Sequence, residues 1–377
     1  MSKSDPILGT SSARYLTGWT GGIAITLLTV GPSWGLHQTP NADIKRSTTL
    51  TEPPPTWCYL PTTPSIYQEV VEKQTIKGHQ GDVWSAIFSP DGQLIATAGN
   101  DGIARLWKLD GTKLVDFTGH QGSVWSVNFS PNSQEVLTTG ADGTARLWTL
   151  SGEEIFEFQG HRGDVWGASF SPDGQEILTG GADGTARLWN LSGEQLLEVK
   201  NVRGSILSVS FSPDGHRFAT AQDDGIVKLW DLSGKLITQL QFHQGWIKTL
   251  NFSPDGQYIG TAGEDGIGRI WNLSGQPITE LNMDQRWVLN TNHISFSPNQ
   301  QQVATSGTDG MVWLWNLTGQ KLIHFKGKQG KIWSINFSPD CRYIVSAGTD
   351  GTARLWEIIW IERCRFQEKF SPRIKCR

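Results

Sequence analysis

Seven tryptophans, Trp107, Trp148, Trp189, Trp230, Trp271, Trp315 and Trp356, recur at spacings of 41, 41, 41, 41, 44 and 41 residues. A fixed period of this size marks a repeat architecture, in which each unit buries its apolar face only against its neighbours. Most of a 377-residue chain then becomes one array, where length alone would suggest two or three domains. A repeat scaffold works through the surfaces it presents. Functional information therefore lies where the repeats differ.

The second repeat reads Gly-His-Gln-Gly-Ser-Val-Trp-Ser-Val-Asn-Phe-Ser-Pro over 119–131, then Glu-Val-Leu-Thr-Thr-Gly-Ala-Asp-Gly-Thr-Ala-Arg-Leu-Trp over 135–148. Three short runs rich in β-branched and aromatic residues alternate with turn signals, and a fourth run follows at 154–158. This pattern predicts four antiparallel strands per repeat. Ser-Pro-Asp-Gly recurs at 89–92, 171–174, 212–215 and 253–256. Its Pro presets φ for a type I turn, and its Gly accepts the left-handed conformation that returns the chain. An Asp-Gly pair makes the next hairpin, and Leu-Ser-Gly, or Leu-Thr-Gly at 317–319, turns each repeat into its outer strand.

The Gly-His opening, the Phe-Ser-Pro-Asp-Gly turn and the Asp-Gly-x-x-x-x-Trp close resemble the WD-repeat β-propeller family over about residues 70–358. Seven occurrences make the resemblance specific, although the Trp-Asp dipeptide survives only at Trp230-Asp231. It implies an all-β fold, a seven-bladed β-propeller of four-stranded antiparallel blades. It also implies a structural hydrogen-bonded set of His, Thr, Asp and Trp within each blade. Complete sets are His79-Thr97-Asp101-Trp107, His120-Thr138-Asp142-Trp148, His161-Thr179-Asp183-Trp189 and His243-Thr261-Asp265-Trp271. The logic is elementary: a partly buried carboxylate needs donors and a buried indole N–H needs an acceptor.

The fourth, sixth and seventh repeats keep Asp224, Asp309 and Asp350 with Thr220, Thr305 and Ser346, but lack the His. Val202 and Lys328 stand in its place in the fourth and seventh. These blades are expected to be less tightly specified, with four and six the candidates for mobility. A constellation repeated in four blades is framework, so no catalytic residue and no enzymatic activity is expected.

After Trp356 the expected outer strand is missing, while residues 69–77 occupy an outer-strand slot ahead of the first Gly-His. The last blade is thus expected to be completed by an N-terminal outer strand, a closure that removes exposed sheet edges. The resulting division is an N-terminal extension over 1–65, the propeller over 66–358 and a basic tail over 359–377. The propeller is expected to be a monomeric ring.

A net charge of −4 gives little support to nucleic-acid binding. The tail is the exception, with Arg363, Arg365, Lys369, Arg373, Lys375 and Arg377 against Glu362 and Glu368. Cys58, Cys341, Cys364 and Cys376 form no CxxC pair, and one carboxylate per Asp-Gly turn is too few for calcium. Neither a metal site nor a cofactor is expected. Residues 15–36 are uncharged around an apolar centre at 23–30, with Ser33 and Gly35 at the small-residue places of a signal-peptidase site. They are read as a secretory signal or weak signal anchor, or else as a disordered extension. Pro53, Pro54, Pro55, Pro61 and Pro64 then make a stiff linker. A cytoplasmic location is favoured, the alternative being export or membrane anchoring through 15–36.

In this family the ring surface carrying the loops before the first strand and between the second and third strands commonly binds partners. The slot after the first-strand Val holds Trp84, Trp125, Trp166, Leu207, Lys248 and Trp333; the sixth repeat is unassigned, because its extra residues fall near 289–293. Ring closure makes four of these tryptophans one arc. The opposite sector carries Asp223, Lys248 and Glu264, with Trp246 and Trp287 near its rim. Arc indoles suit a contact surface, and they equally suit packing between blades. The recurring Arg105, Arg146, Arg187, Arg269 and Arg354 are expected to place their guanidinium groups near an acidic turn.

The leading functional expectation is a non-catalytic adaptor that binds a protein or peptide on the Trp-rich face. The alternative is a small-molecule or glycan sensor using the same face, with a ligand-sized pocket in the channel mouth as the discriminating feature. Repeats one to three resemble the propellers of bacterial, especially cyanobacterial, signalling proteins, where a kinase or nucleotide-binding module usually precedes them. Neither signature is present, so a stand-alone adaptor is expected.

Overall fold

The structure, a computed structural model, describes residues 66–200, 204–241, 243–282 and 290–362. The segment 15–36, the Pro-rich linker, Cys58, Val202, Trp287, Cys364, Cys376 and the tail from Arg363 onward lie outside the described residues. The described regular structure is 28 strands in seven four-stranded antiparallel sheets. No helix among the described residues is long and apolar enough to cross a membrane.

The blades are numbered by their innermost strands, Val83–Phe88, Val124–Phe129, Val165–Phe170, Ile206–Phe211, Ile247–Phe252, Thr291–Phe296 and Ile332–Phe337. The strand Val83–Phe88 touches both Val124–Phe129 and Ile332–Phe337, which closes the circle. The core lies between sheets. Phe88 and Trp107 of blade one pack on Val345 and Leu355 of blade seven, and Leu106 and Phe117 pack on Val127 and Trp148 of blade two. An array built this way has no single centre; each blade is stable only with both neighbours in place.

The turns form as their residues dictate. At the first Ser-Pro-Asp-Gly, the Gly92 N–H donates to the Ser89 carbonyl at 2.8 Å with Gly92 at φ 71°. The Ser89 Oγ accepts from the Leu94 N–H at 3.0 Å, fixing where the second strand starts.

Closure follows the expected scheme and extends further. Strand Ile66–Lys77 is the outer strand of blade seven, paired antiparallel with Thr352–Glu362. Pairing begins at Lys77↔Thr352 and continues past Trp356 to Ile66↔Glu362, beyond the boundary at 358. Ile358 is buried and its N–H donates to the Arg342 carbonyl at 2.8 Å, so the extra pairs run out beside the Ser-Pro-Asp turn of the blade. Trp333 lies at the other end of that blade, where Ile332 pairs with Gly348. Blades seven and one are also tied directly, by Asn336 Nδ2 donating to the Ala86 carbonyl at 2.8 Å and Trp333 Nε1 to Asp82 Oδ2 at 3.0 Å.

One irregularity recurs in every blade. The register between the two inner strands skips one residue: Val83/Ser85, Val124/Ser126, Val165/Gly167, Ile206/Ser208, Ile247/Thr249, Thr291/His293 and Ile332/Ser334. This is a β-bulge, which leaves one residue unpaired and re-aims its side chain. The bulged residues are Trp84, Trp125, Trp166, Leu207, Lys248, Asn292 and Trp333.

Candidate functional site

The closing tryptophans are framework in all seven blades. Each indole N–H donates to a hydroxyl of the second strand: Trp107 to Thr97, Trp148 to Thr138, Trp189 to Thr179, Trp230 to Thr220, Trp271 to Thr261, Trp315 to Thr305 and Trp356 to Ser346, at 2.8 to 3.1 Å. In the four complete sets the hydroxyl meets His Nε2 at 2.7 to 2.8 Å, and Nδ1 meets the turn Asp at 2.9 to 3.0 Å. An imidazole protonated on Nδ1, giving to the carboxylate and accepting from the hydroxyl at Nε2, satisfies both contacts.

The charges agree with that assignment. Burial holds His79, His120 and His161 below the usual histidine value, with their Asp partners compensating only in part. Burial pushes the Asp183 carboxyl up, but hydrogen bonds from the Arg162 amide, Thr185 and His161 outweigh it and hold it down at about 2. Asp265 is likewise held at about 2, its burial outweighed by His243 and Arg269.

The recurrent arginines complete the pattern. Arg105 bridges Asp101 at 2.7 Å and Asp116 at 3.1 Å, and Arg269 pairs with Asp265 and, at 3.1 Å, Glu280. Arg146 reaches Glu154 and Glu157, Arg187 reaches Glu198, and Arg354 reaches Asp350 and Glu72. Each guanidinium clamps its hairpin to the outer strand and is already matched by carboxylates.

Blade seven departs from the sequence expectation. Lys328, in the His slot by alignment, adopts φ 56° and points outward to Glu72 at 3.1 Å. The next residue, Gln329, turns inward and is fully buried. Its Oε1 accepts from Ser346 Oγ at 2.5 Å and its Nε2 donates to the Thr352 carbonyl at 2.7 Å. The blade is therefore pinned by an amide, which corrects the view that it is loosely specified. A one-residue flip of the backbone, invisible to alignment, makes the exchange.

Blade four solves the same problem differently. In blades with a His, a glycine at the end of the second strand lies against the ring. A Cβ would stand 2.1 Å from His79 Nδ1 at Gly99, 2.4 Å from His120 Nδ1 at Gly140 and 2.6 Å from His161 Nδ1 at Gly181. The corresponding residue in blade four is Gln222, fully buried, whose amide has no hydrogen-bond partner among the described residues. Every blade with the His has this glycine; of the three blades without it, blade four carries a side chain in that space, whereas blades six and seven keep Gly307 and Gly348. In blade six, Trp313 replaces the recurrent Arg and stacks on His324, ring centroids 4.4 Å apart.

The bulged residues meet at the channel. Trp333, Trp84, Trp125 and Trp166 form the expected arc, with successive ring centroids 4.9, 5.1 and 4.8 Å apart and tilted by 42° to 56°. All four are half-buried. Trp333 donates to Asp82, whereas the indole N–H groups of Trp84, Trp125 and Trp166 have no partner among the described residues. Leu207 continues the ring, and Asn292 fills the sixth slot that alignment left open. These residues line a cavity of about 520 Å³, lined also by the half-exposed Trp246.

Lys248 is the polar pole of the ring. Its Nζ donates to Asn292 Oδ1 at 3.2 Å and lies 5.8 Å from the Trp333 ring centroid. Asn290, its amide turned to satisfy both neighbours, accepts from Lys248 Nζ at 3.2 Å and donates to the Glu264 carbonyl at 3.0 Å. Burial pulls the Lys248 ammonium below its usual value, and Glu264 partly restores it. Asp223 is taken up locally, accepting from the Ser205 N–H at 2.8 Å, and does not line the cavity. Among the described residues no group of three or more His, Cys, Asp or Glu side chains is placed to hold a metal ion.

Seven four-stranded blades, each with a Trp–Thr or Trp–Ser lock and an Asp-Gly hairpin, define a propeller of the WD type. The family model described as IFT122 first beta-propeller matches residues 109–357, and the WD domain, G-beta repeat model matches residues 71–108. The chain belongs to the WD-repeat β-propeller family. No curated protein matches the sequence. Propellers of this family generally act as protein-interaction scaffolds and are typically non-catalytic.

Proposed function

We propose that this propeller is a non-catalytic adaptor that binds a protein or peptide on the face carrying Trp333, Trp84, Trp125 and Trp166. The observation that carries the reading is the bulge: in all seven blades the inner strand gives up a ladder position to re-aim one side chain, and on four neighbouring blades that side chain is an indole. Indoles offer large contact area at small entropic cost and dominate interface energetics. The resemblance of repeats one to three to bacterial, especially cyanobacterial, propellers is part of this proposal.

The Trp125→Ala, Trp166→Ala double variant tests it. Partner capture by immobilised protein should fall by about thirtyfold or more, the scale of a lost hot spot. The melting temperature should move little, because the arc is half-buried and stands outside the cores between blades. Unchanged capture of the same partner, or a large loss of stability, would assign these indoles to packing instead. A second reading, a small-molecule or glycan sensor, draws support from the cavity of about 520 Å³, which is within the size range of ligand sites.

A further inference from the structure

We infer that the channel takes an organic carboxylate with an aromatic or bulky apolar body, the body lying against the arc indoles and the carboxylate meeting the Lys248 ammonium. The inference deepens the partner reading by naming the chemistry that the same face accepts. It rests on that reading only in using the same face.

The cavity has one chemical polarity. Its wall is aromatic and apolar through the four arc tryptophans and Leu207, and Lys248 is the only Lys or Arg that lines it. No Asp or Glu lines it. His293, the other titratable lining group, is pushed down to about 4 by burial and is neutral near pH 7. The ammonium is half-buried, yet its partners at hydrogen-bond distance are the neutral amides of Asn292 and Asn290. Among the described residues no carboxylate forms an ion pair with it, Glu264 acting only at longer range, whereas every recurrent arginine of the ring has at least one such partner. A desolvated cation held by neutral acceptors gains most from an anion.

The same geometry argues against a cationic guest. An aromatic arc alone would suit an ammonium through its ring faces. Here the Trp333 face already has Lys248 at 5.8 Å and Lys331 at 5.8 Å, so a further cation would meet like charge. A carboxylate beside Lys248 would also have the Lys331 ammonium on the same Trp333 ring. The chemistry has two natural sources, a free aromatic acid or the C-terminal carboxylate of a peptide ending in a large apolar residue.

Isothermal titration of the full chain with three probes of one body separates these possibilities: phenylpropionate, phenylpropanamide and phenylpropylamine. The acid should bind at least about tenfold tighter than the amide, and the amine should bind weakest. Lys248→Gln should bring the acid to the level of the amide, while Lys248→Arg keeps the preference. A tetrapeptide ending in phenylalanine, as free acid and as C-terminal amide, then distinguishes the sources: a free acid far tighter than phenylpropionate points to a peptide end. Equal binding of acid and amide, or no heat with the acid at millimolar concentration, overturns the inference. If the acid fails while the Trp125, Trp166 variant still loses its partner, the carboxylate assignment falls and the partner face stands. If the acid binds and that variant keeps its partner, the reverse holds.

Discussion

Gly140 makes room for His120, and that pairing can be measured as a coupling energy. A Cβ at Gly140 would lie 2.4 Å from His120 Nδ1 and 2.8 Å from Asp142 Oδ1, about an ångström inside ordinary contact. Gly140→Ala must therefore displace the imidazole, breaking its 3.0 Å bond to Asp142 and its 2.8 Å bond to Thr138. Each lost bond to a buried group costs about 1–3 kcal/mol, so the variant should lose roughly 3 kcal/mol, or about 6 °C for a folding unit of this size. His120→Ala should cost a similar amount. In that background the clash with the ring is gone and the Asp142 carboxylate, no longer held by the ring, can turn from its 2.8 Å approach; because Gly140 does not use positive φ, the added methyl should then cost little. The cycle then shows roughly 3 kcal/mol of coupling, well above the ~0.5 kcal/mol scatter of independent sites. Urea unfolding of the four proteins measures it. If Gly140→Ala costs the same with and without His120, the glycine is not there for the ring and the reading of Gln222 as its counterpart fails with it.

Deleting residues 66–78 should cost well over about 3 kcal/mol, because buried Ile76 and a whole outer strand are lost and the blade edge is exposed; a truncated chain that melts like the intact one would contradict this closure. In blade seven, Gln329→Ala should destabilise by about 2–3 kcal/mol through orphaned buried groups. Lys328→Ala, which removes an exposed ion pair, should cost under about 1 kcal/mol; the reverse order in denaturant melts would restore Lys328 to the inner slot. Stability should also fall on acidification in two stages. Unfolded histidines take up protons as pH drops through about 6.5, while buried His79, His120 and His161 resist, so the unfolded state binds more protons and the loss begins there. Asp183 and Asp265, held at about 2, add a second loss as pH falls from about 4 towards 2. A melting temperature unchanged between pH 7 and pH 5 would show that the imidazoles are not held neutral.

The ring, the four His sets, the closing strand and the Trp arc were legible because each depends on residue type at a fixed period. What period cannot carry is a local change of backbone path. Lys328 and Gln329 are adjacent, and only the left-handed φ at Lys328 decides which of them faces inward. Asn292 escaped notice because the extra residues of the sixth repeat shift the count, whereas the bulge identifies it from pairing alone. The link between glycine and histidine was present in the sequence only in part: all four repeats with the His have Gly before the hairpin, but so do repeats six and seven, and repeat four alone has Gln222. It needed the distance from Gly99 to His79 to acquire a meaning. Lys248 was visible in the sequence, but not that its hydrogen-bond partners among the described residues would be the neutral amides of Asn292 and Asn290.

The antiparallel pair that closes the ring has a mechanical consequence. Its outermost rung, Ile66↔Glu362, joins the two places where the chain enters and leaves. Tension between the flanking segments would load that rung first and peel the pair apart one rung at a time towards Lys77↔Thr352. Shear resistance, in which many bonds share a load, is not available to a clasp held this way. A pull along the line between those two places would therefore open blade seven before disturbing the arc tryptophans of blades one to three.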